Sequence, residues 1–360
     1  MRLRIVFGAA LAALALTAAG CGQPGAVQPG AAGNSLKSAP LDAALVTADF
    51  GWVLTADELL LTADGGASFQ ASKLDIPAGE GKAAFFTDAQ HGWVATVTDM
   101  QSLTVARTVD GGNTWDYAKI TTPEPIGRLS IGFGDQAQGG LLAKMQTSNA
   151  FSRGFFYATA DGGKSWTAAG EAPAGGQIAV EPGGRVWLAG GVMADQLYTS
   201  KDLGSSWSQP NLGVKPAGVG LPSGGMLPVT VGDGTTARLA LLTTADAGAS
   251  WHESASVPLQ GDQGIPAALA VNGSVVMVAD PSGGRVHRGS KAAVKSIGAQ
   301  GLPASVSRLT LADQSHGWAL ASSGHCSNGK KACFITYSLV STDDAGDSWK
   351  ELLHWQERIG

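Results

Sequence analysis

At 360 residues, with 44% hydrophobic and 15% charged residues, the chain has room for one large or two ordinary packed domains. Its formal charge of −5 and the lack of any clustered basic run argue against a nucleic-acid partner, which needs a concentrated cationic face. The 51 glycines follow no collagen-like period, so they read as turns.

The first segment, "MRLRIVFGAALAALALTAAGC", carries Arg2 and Arg4, then an apolar run from Ile5 to Ala18 that is too short to span a membrane as a mature helix. That is the layout of an export signal. "AAGC" resembles the bacterial lipoprotein cleavage box, with Ala18 where that box prefers leucine. The resemblance implies that Cys21 is lipidated and becomes the new N-terminus. The plainer alternative is a secretory signal in which Cys21 is incidental. Residues 1–20 are therefore expected to be a signal peptide, and the chain to be extracytoplasmic and lipid-anchored to the cell membrane. Residues 21–40 are rich in Gly, Pro, Ala and Gln and read as a flexible tether. Residues 41–360 are read as the folded body.

From there onward helical periodicity is nearly absent. Short runs such as "GWVLTA" and "GWVATV" alternate with Gly, Asp and Ser, the pattern of many short strands. One box recurs six times as Ser/Thr-x-Asp-x-Gly-x-Ser/Thr-aromatic. Its aspartates are Asp64, Asp110, Asp161, Asp202, Asp246 and Asp344, and its closing aromatics are Phe69, Trp115, Trp166, Trp207, Trp251 and Trp349. Successive aspartates lie 46, 51, 41, 44 and 98 residues apart, so the last gap spans two units. The decayed unit falls at "RVHRGSKAAVKSI", Arg285 to Ile297, which keeps a strand-turn-strand outline without the aspartate.

A second element precedes the boxes. Gly-Trp strands carry Trp52, Trp93, Trp187 and Trp318, and weaker counterparts stand near Leu141, Leu227 and Val275. Seven units of four short strands predict an all-β, seven-bladed β-propeller with Asp-box turns. In that frame the box is a turn between the third and fourth strands. Its Asp accepts backbone N–H bonds, its Ser/Thr adds hydroxyl bonds, its Gly takes a positive φ, and its aromatic packs between blades. How the first and last blades join is left open by the sequence.

These boxes resemble the Asp-box, or bacterial neuraminidase repeat, of sialidases, xyloglucanases and sortilin-type receptors. Together with the upstream Gly-Trp strand, as in "FTDAQHGWVATV" before "TVDGGNTW", the whole mature chain resembles the photosystem II stability/assembly factor family. The resemblance implies a seven-bladed Asp-box propeller, lipid-anchored in cyanobacteria. In photosynthetic members it also implies an assembly chaperone that uses a basic patch. This chain is acidic and its arginines are scattered, so that role does not carry over with the fold.

No catalytic set stands out. The Phe/Tyr-Arg-Ile/Leu-Pro segment of sialidases is missing, and the tyrosines are Tyr117, Tyr157, Tyr198 and Tyr337, with Tyr198 read as packing. Asp99, Glu124, Asp135, Asp195 and Asp262 are the carboxylates outside the boxes that a glycosidase pair would draw on, and they read as solvated loop acids. His91 and His316 occupy one place in two repeats. Asp343, Asp344 and Asp347 lack the spacing of a calcium loop. Cys326 and Cys333 flank a short turn and are expected to form a disulfide. A metal pair with His325 is the alternative, and Lys330 and Lys331 read as a charged hairpin tip. No cofactor or metal is expected. The reading is a non-catalytic scaffold or assembly factor that binds another extracytoplasmic or membrane protein. The alternatives are a glycan-binding or glycoside-hydrolysing propeller and a passive envelope protein.

Overall fold

Short strands separated by turns are what the sequence pattern demands, and the described residues form strands of two to ten residues and no helix. A computed structural model describes residues 36–146, 153–232, 237–259, 268–272, 275–280, 283–290, 293–326 and 333–359. Residues 1–35, where the signal peptide, Cys21 and most of the tether are expected, lie outside them, as do Asp262, Lys330 and Lys331. Residues Asn34–Gly360 make one compact unit, separate from Met1–Gly33.

Within that unit the strands pair with their sequence neighbours into seven antiparallel sheets. They cover residues 40–71, 82–121, 126–172, 176–200, 218–259, 269–298 and 306–359, numbered below as blades 1 to 7. Six sheets have four strands and blade 4 has three. At its fourth position only Thr199 and Ser208 bridge, because Pro210 cannot donate to a ladder and Asn211 pairs instead with Ser250 in the box of blade 5. The decayed unit keeps its expected outline, with Arg285–Ser290 paired to Ala293–Gly298.

Seven buried clusters join neighbouring blades. Trp52 meets Phe86 and Val94 between blades 1 and 2. Trp93 meets Phe133 and Leu141 between 2 and 3, and Phe156 meets Ile178 and Leu188 between 3 and 4. Trp187 meets Val229 and Trp251 between 4 and 5, Leu239 meets Val278 between 5 and 6, and Met277 meets Leu309 and Trp349 between 6 and 7. Trp318 and Leu339 meet Leu45 and Val53, which packs blade 7 on blade 1 and closes the ring. No strand is exchanged there, since all four strands of blade 7 come from residues 306–359. The Leu45 N–H donates to Thr310 Oγ1 at 3.0 Å across that seam.

The four Gly-Trp tryptophans are at most 1% exposed. Burying a side chain of that size stabilises by roughly 2–3 kcal/mol. In blade 3 the tryptophan position is Gly140, and Phe156 from the next strand fills the space, 2.3 Å from where a Cβ on Gly140 would lie. That explains why the third unit reads "GGLLAK" without losing its place in the ring.

Candidate functional site

The six boxes have one geometry. Each Ser/Thr hydroxyl donates to its aspartate's Oδ1 at 2.7–2.8 Å. The residue four positions after the aspartate donates its N–H to the same oxygen and its hydroxyl to Oδ2 at 2.6 Å. At Asp64 and Asp110 the hydroxyls of Ser68 and Thr114 lead in holding the carboxyl down to about 2. Ser348 does the same at Asp344, also about 2. At Asp161 burial pulls upward and is outweighed by the bonds from Ser165, leaving about 2. Asp202 and Asp246 are lowered through Ser206 and Ser250. These carboxylates are committed to their own turns.

Each box also touches the preceding blade. A Cβ on Gly163 would lie 2.8 Å from Trp93 Nε1, and one on Gly248 would lie 2.2 Å from Trp187. Trp93 Nε1 donates to Gly162 O at 2.7 Å. The box has two left-handed residues rather than one, the position after the aspartate and the next. Gly65, Gly111 and Gly162 fill the first position in three boxes, but Leu203, Ala247 and Ala345 sit there at φ 51°, 55° and 61°. Only the second glycine is required, because only there does the neighbouring blade forbid a side chain. The closing aromatics pack against the clusters between blades, where Trp251 and Trp349 are buried and Phe69, Trp115, Trp166 and Trp207 are half-buried.

The turns between first and second strands repeat a second device. Asp88 Oδ1 accepts the N–H of Gln90 and His91, and Asp313 Oδ1 accepts those of Ser315 and His316. Asp135 does the same for Ala137 and Gln138. His91 Nδ1 lies 2.9 Å from Asp88 Oδ1 and His316 Nδ1 lies 2.8 Å from Asp313 Oδ2. Burial acts upward on Asp88 but the His91 bonds prevail, and its carboxyl sits at about 2. Asp88 and Asp135 border an open hollow with Phe85, Phe86 and Phe133. Phe86 and Phe133 are only 5% and 3% exposed, which leaves the half-buried Phe85 as the aromatic surface beside its acids.

The remaining sequence candidates stay apart. Asp99 caps the turn at Gln101, and Glu124 is 3.9 Å from Arg153. Tyr157 donates to Thr121 O and Tyr198 to Gln196 Oε1, while the Tyr117 hydroxyl accepts the Asp75 N–H. Cys326 and Cys333 form the expected disulfide, which leaves no thiolates for a metal beside His325, whose ring stacks on Phe334. Among the described residues no group of three or more His, Cys, Asp or Glu is arranged to hold a metal.

Because strands alternate in direction, the connections between second and third strands lie at the end opposite the boxes. This hairpin end carries what the repeat does not explain. A cavity of about 380 Å³ opens between the inner strands of blades 4 to 7. Its wall is mostly Gly, Ala, Val and Leu, with Arg308 as its charged residue. Arg308 Nε lies 3.4 Å from Asp42 Oδ1 across the blade 7–1 seam and makes no hydrogen bond. Burial raises the Asp42 carboxyl, against the opposing pull of Arg308 and the Ala43 N–H. Beside the cavity the connection of blade 4 exposes Val192 at 59% and Met193 at 68%, and the connection of blade 2 exposes Met100 at 68%. Blade 7 extends this end with three ten-residue strands, the first two of which are joined by the disulfide. The chain enters the described region here, with Leu36 buried at the blade 7–1 seam and Lys37 Nζ 2.7 Å from Glu58.

Sequence reasoning missed Arg308, Asp42 and the apolar tips, since none belongs to a motif. It also passed over a buried pair, His287 Nε2 with Asp280 Oδ2 at 3.2 Å. One signal for that pair was in the sequence. "DPSGGRVH" parallels "EPGGRVW", in which Trp187 Nε1 donates to Glu181.

Residues 33–181 match the model of a family described as photosynthesis system II assembly factor YCF48. No curated protein matches the sequence. Among solved structures, a functionally unknown protein from Desulfotomaculum acetoxidans DSM 771 is 13% identical, with 84% of this chain and 98% of that chain covered and a TM-score of 0.52. Uncharacterized protein lmo1340 from Listeria monocytogenes EGD-e is 7% identical, covering 89% and 97%, at 0.51. A structure of YCF48 bound to D1 peptide is 14% identical, covering 77% and 86%, at 0.41. At these identities the likeness to the first two speaks for the fold.

Proposed function

We propose that this chain, a propeller of the photosystem II stability-factor-like kind, is a lipid-anchored extracytoplasmic scaffold that binds another envelope or membrane protein at its hairpin end and performs no catalysis. One observation carries the reading. The exposed Val192 and Met193 stand on the rim of an apolar cavity, while the repeated end of the molecule spends its polar groups on itself. An exposed apolar rim around a concave surface is the composition of an interface core. Lipidation at Cys21 would tether this end to a membrane, because the chain enters the propeller at Leu36, beside Glu58 and blade 7.

The test is photo-crosslinking in intact cells. A crosslinker at position 193 should capture one defined protein, identified by mass spectrometry, and a crosslinker at Asn113 in a box should not. Equal capture from both positions would refute a directional scaffold. Separately, a Cys21→Ser chain that still partitions with membranes would refute the anchor.

A further inference from the structure

Resting on that protein-binding reading, we propose that the cavity at the hairpin end is a socket for a protein segment that presents one large apolar side chain next to a carboxylate.

The apolar half of this specificity comes from the wall. Val219, Leu221, Leu269, Val306 and Leu309 face a space near the lower end of the ~300–1,000 Å³ range of ligand pockets. That suits a single anchoring side chain better than an extended cofactor. The space persists because the blade 4 wall is glycine where backbones converge. A Cβ on Gly176 would lie 2.1 Å from Ala189 O, and one on Gly190 would lie 2.5 Å from Gly175 O. No side chain can grow there to fill the cavity.

The rim is held in place before any partner arrives. Gly191 and Ala194 line the cavity, and between them stand the exposed Val192 and Met193. Ala194 has a left-handed backbone, at φ 55°. Its N–H donates to Gly191 O at 3.3 Å, and its carbonyl accepts the Val219 N–H of blade 5 at 2.9 Å. A tip pinned across two blades loses little conformational freedom on binding, which favours its use as an anchor surface.

The acidic half comes from Arg308. A guanidinium has five N–H donors and accepts nothing. Here Nε is buried facing Asp42 Oδ1 at 3.4 Å without a hydrogen bond, while the side chain as a whole is 32% exposed. An incoming carboxylate would reach the outer N–H groups of the partly exposed side chain, not the buried Nε, and pair with them in the charge-assisted geometry that arginine favours. The anchor side chain and the acid must be close in the partner, because Arg308 is itself part of the wall.

The experiment selects a displayed random dodecapeptide library on the full chain and measures the winning synthetic peptides by fluorescence polarisation. Enriched peptides should share Leu, Met or Phe within two positions of Asp or Glu. Arg308→Gln should weaken them about tenfold or more. Replacing the peptide acid by its amide should weaken wild type equally and the Arg308→Gln chain hardly further, the signature of a direct pair. Met193→Asp, at an exposed tip, should weaken binding without touching the fold. Peptides lacking an acid, or binding Arg308→Gln and Met193→Asp chains as well as wild type, would overturn the socket while leaving the crosslinking result to judge the scaffold. An absence of enriched peptides would overturn it too. So would binding to phosphatidylglycerol vesicles that is lost in Met193→Asp, because the rim would then serve a membrane.

Discussion

The box end and the hairpin end of this propeller are built from the same strands but under different rules. At the box end the same hydrogen bonds recur six times, and each glycine-aspartate turn presses on the preceding blade. At the hairpin end no two described connections are alike. One is a three-residue turn at Asp57, one exposes Met193, and one is a disulfide-held extension. The difference teaches that repetition marks structure and its absence marks freedom to specialise. A fold that satisfies its own polar groups at one end can leave apolar and cationic groups available at the other.

That contrast can be broken most severely at the blade seams. Trp93→Ala removes a fully buried ring and its bond to Gly162, and should cost roughly 3–5 kcal/mol by urea unfolding. A loss under 1 kcal/mol would show that the seams do not carry the ring. Cys326→Ser with Cys333→Ser should cost at most about 2.5 kcal/mol on loop-closure grounds. The loss should appear as faster amide exchange in residues 322–326 and 333–338 only, and faster exchange in blades 2 to 4 would argue that the extension clamps the ring.

Acid should act on the box end. The box carboxylates titrate lower folded than unfolded, so their contribution is fully present above the ordinary value of 3.8. It is lost as pH falls through about 2. Urea midpoints should therefore hold near pH 5 and drop between about pH 4 and 2. The gap between wild type and Asp161→Asn should narrow over that span, and a constant gap would contradict the linkage.

Smaller still, Ala247→Gly should stabilise by about 0.5–1 kcal/mol, because it relieves an exposed left-handed alanine at φ 55°. A destabilised variant would mean that Ala247 packs productively. Met193→Ala should change stability by less than about 0.5 kcal/mol, as befits a side chain that serves only a partner. A larger thermal shift would place that tip among the structural elements.

Much of the architecture was legible in the residues. Box spacing counted the blades, because each unit must reverse the chain at the same place. The double gap located the blade that lost its aspartate. The same pattern gave His91 and His316 as repeat positions, and both proved to be turn-bound to Asp88 and Asp313. Other features were hidden for physical reasons. The fourth strand of blade 4 fails because Asn211 finds a partner in the next blade, which local propensity does not register. Phe156 stands in for a missing tryptophan from another strand, so no window of sequence could show the exchange. The first left-handed box position holds Leu203, Ala247 and Ala345 in three boxes, which the glycines of the other three do not foretell.

Sequence alone thus determined the number and kind of units and the bonding of each box aspartate, since those depend on bonds closed within eight residues. Tertiary structure decided the rest. Arg308 and Asp42 are 266 residues apart and meet only because the ring closes blade 7 on blade 1. The cavity likewise takes its wall from four blades, whose inner strands no local pattern relates. Contacts of that range are set by ring geometry, and a repeat announces the ring without announcing what its non-repeating residues will face.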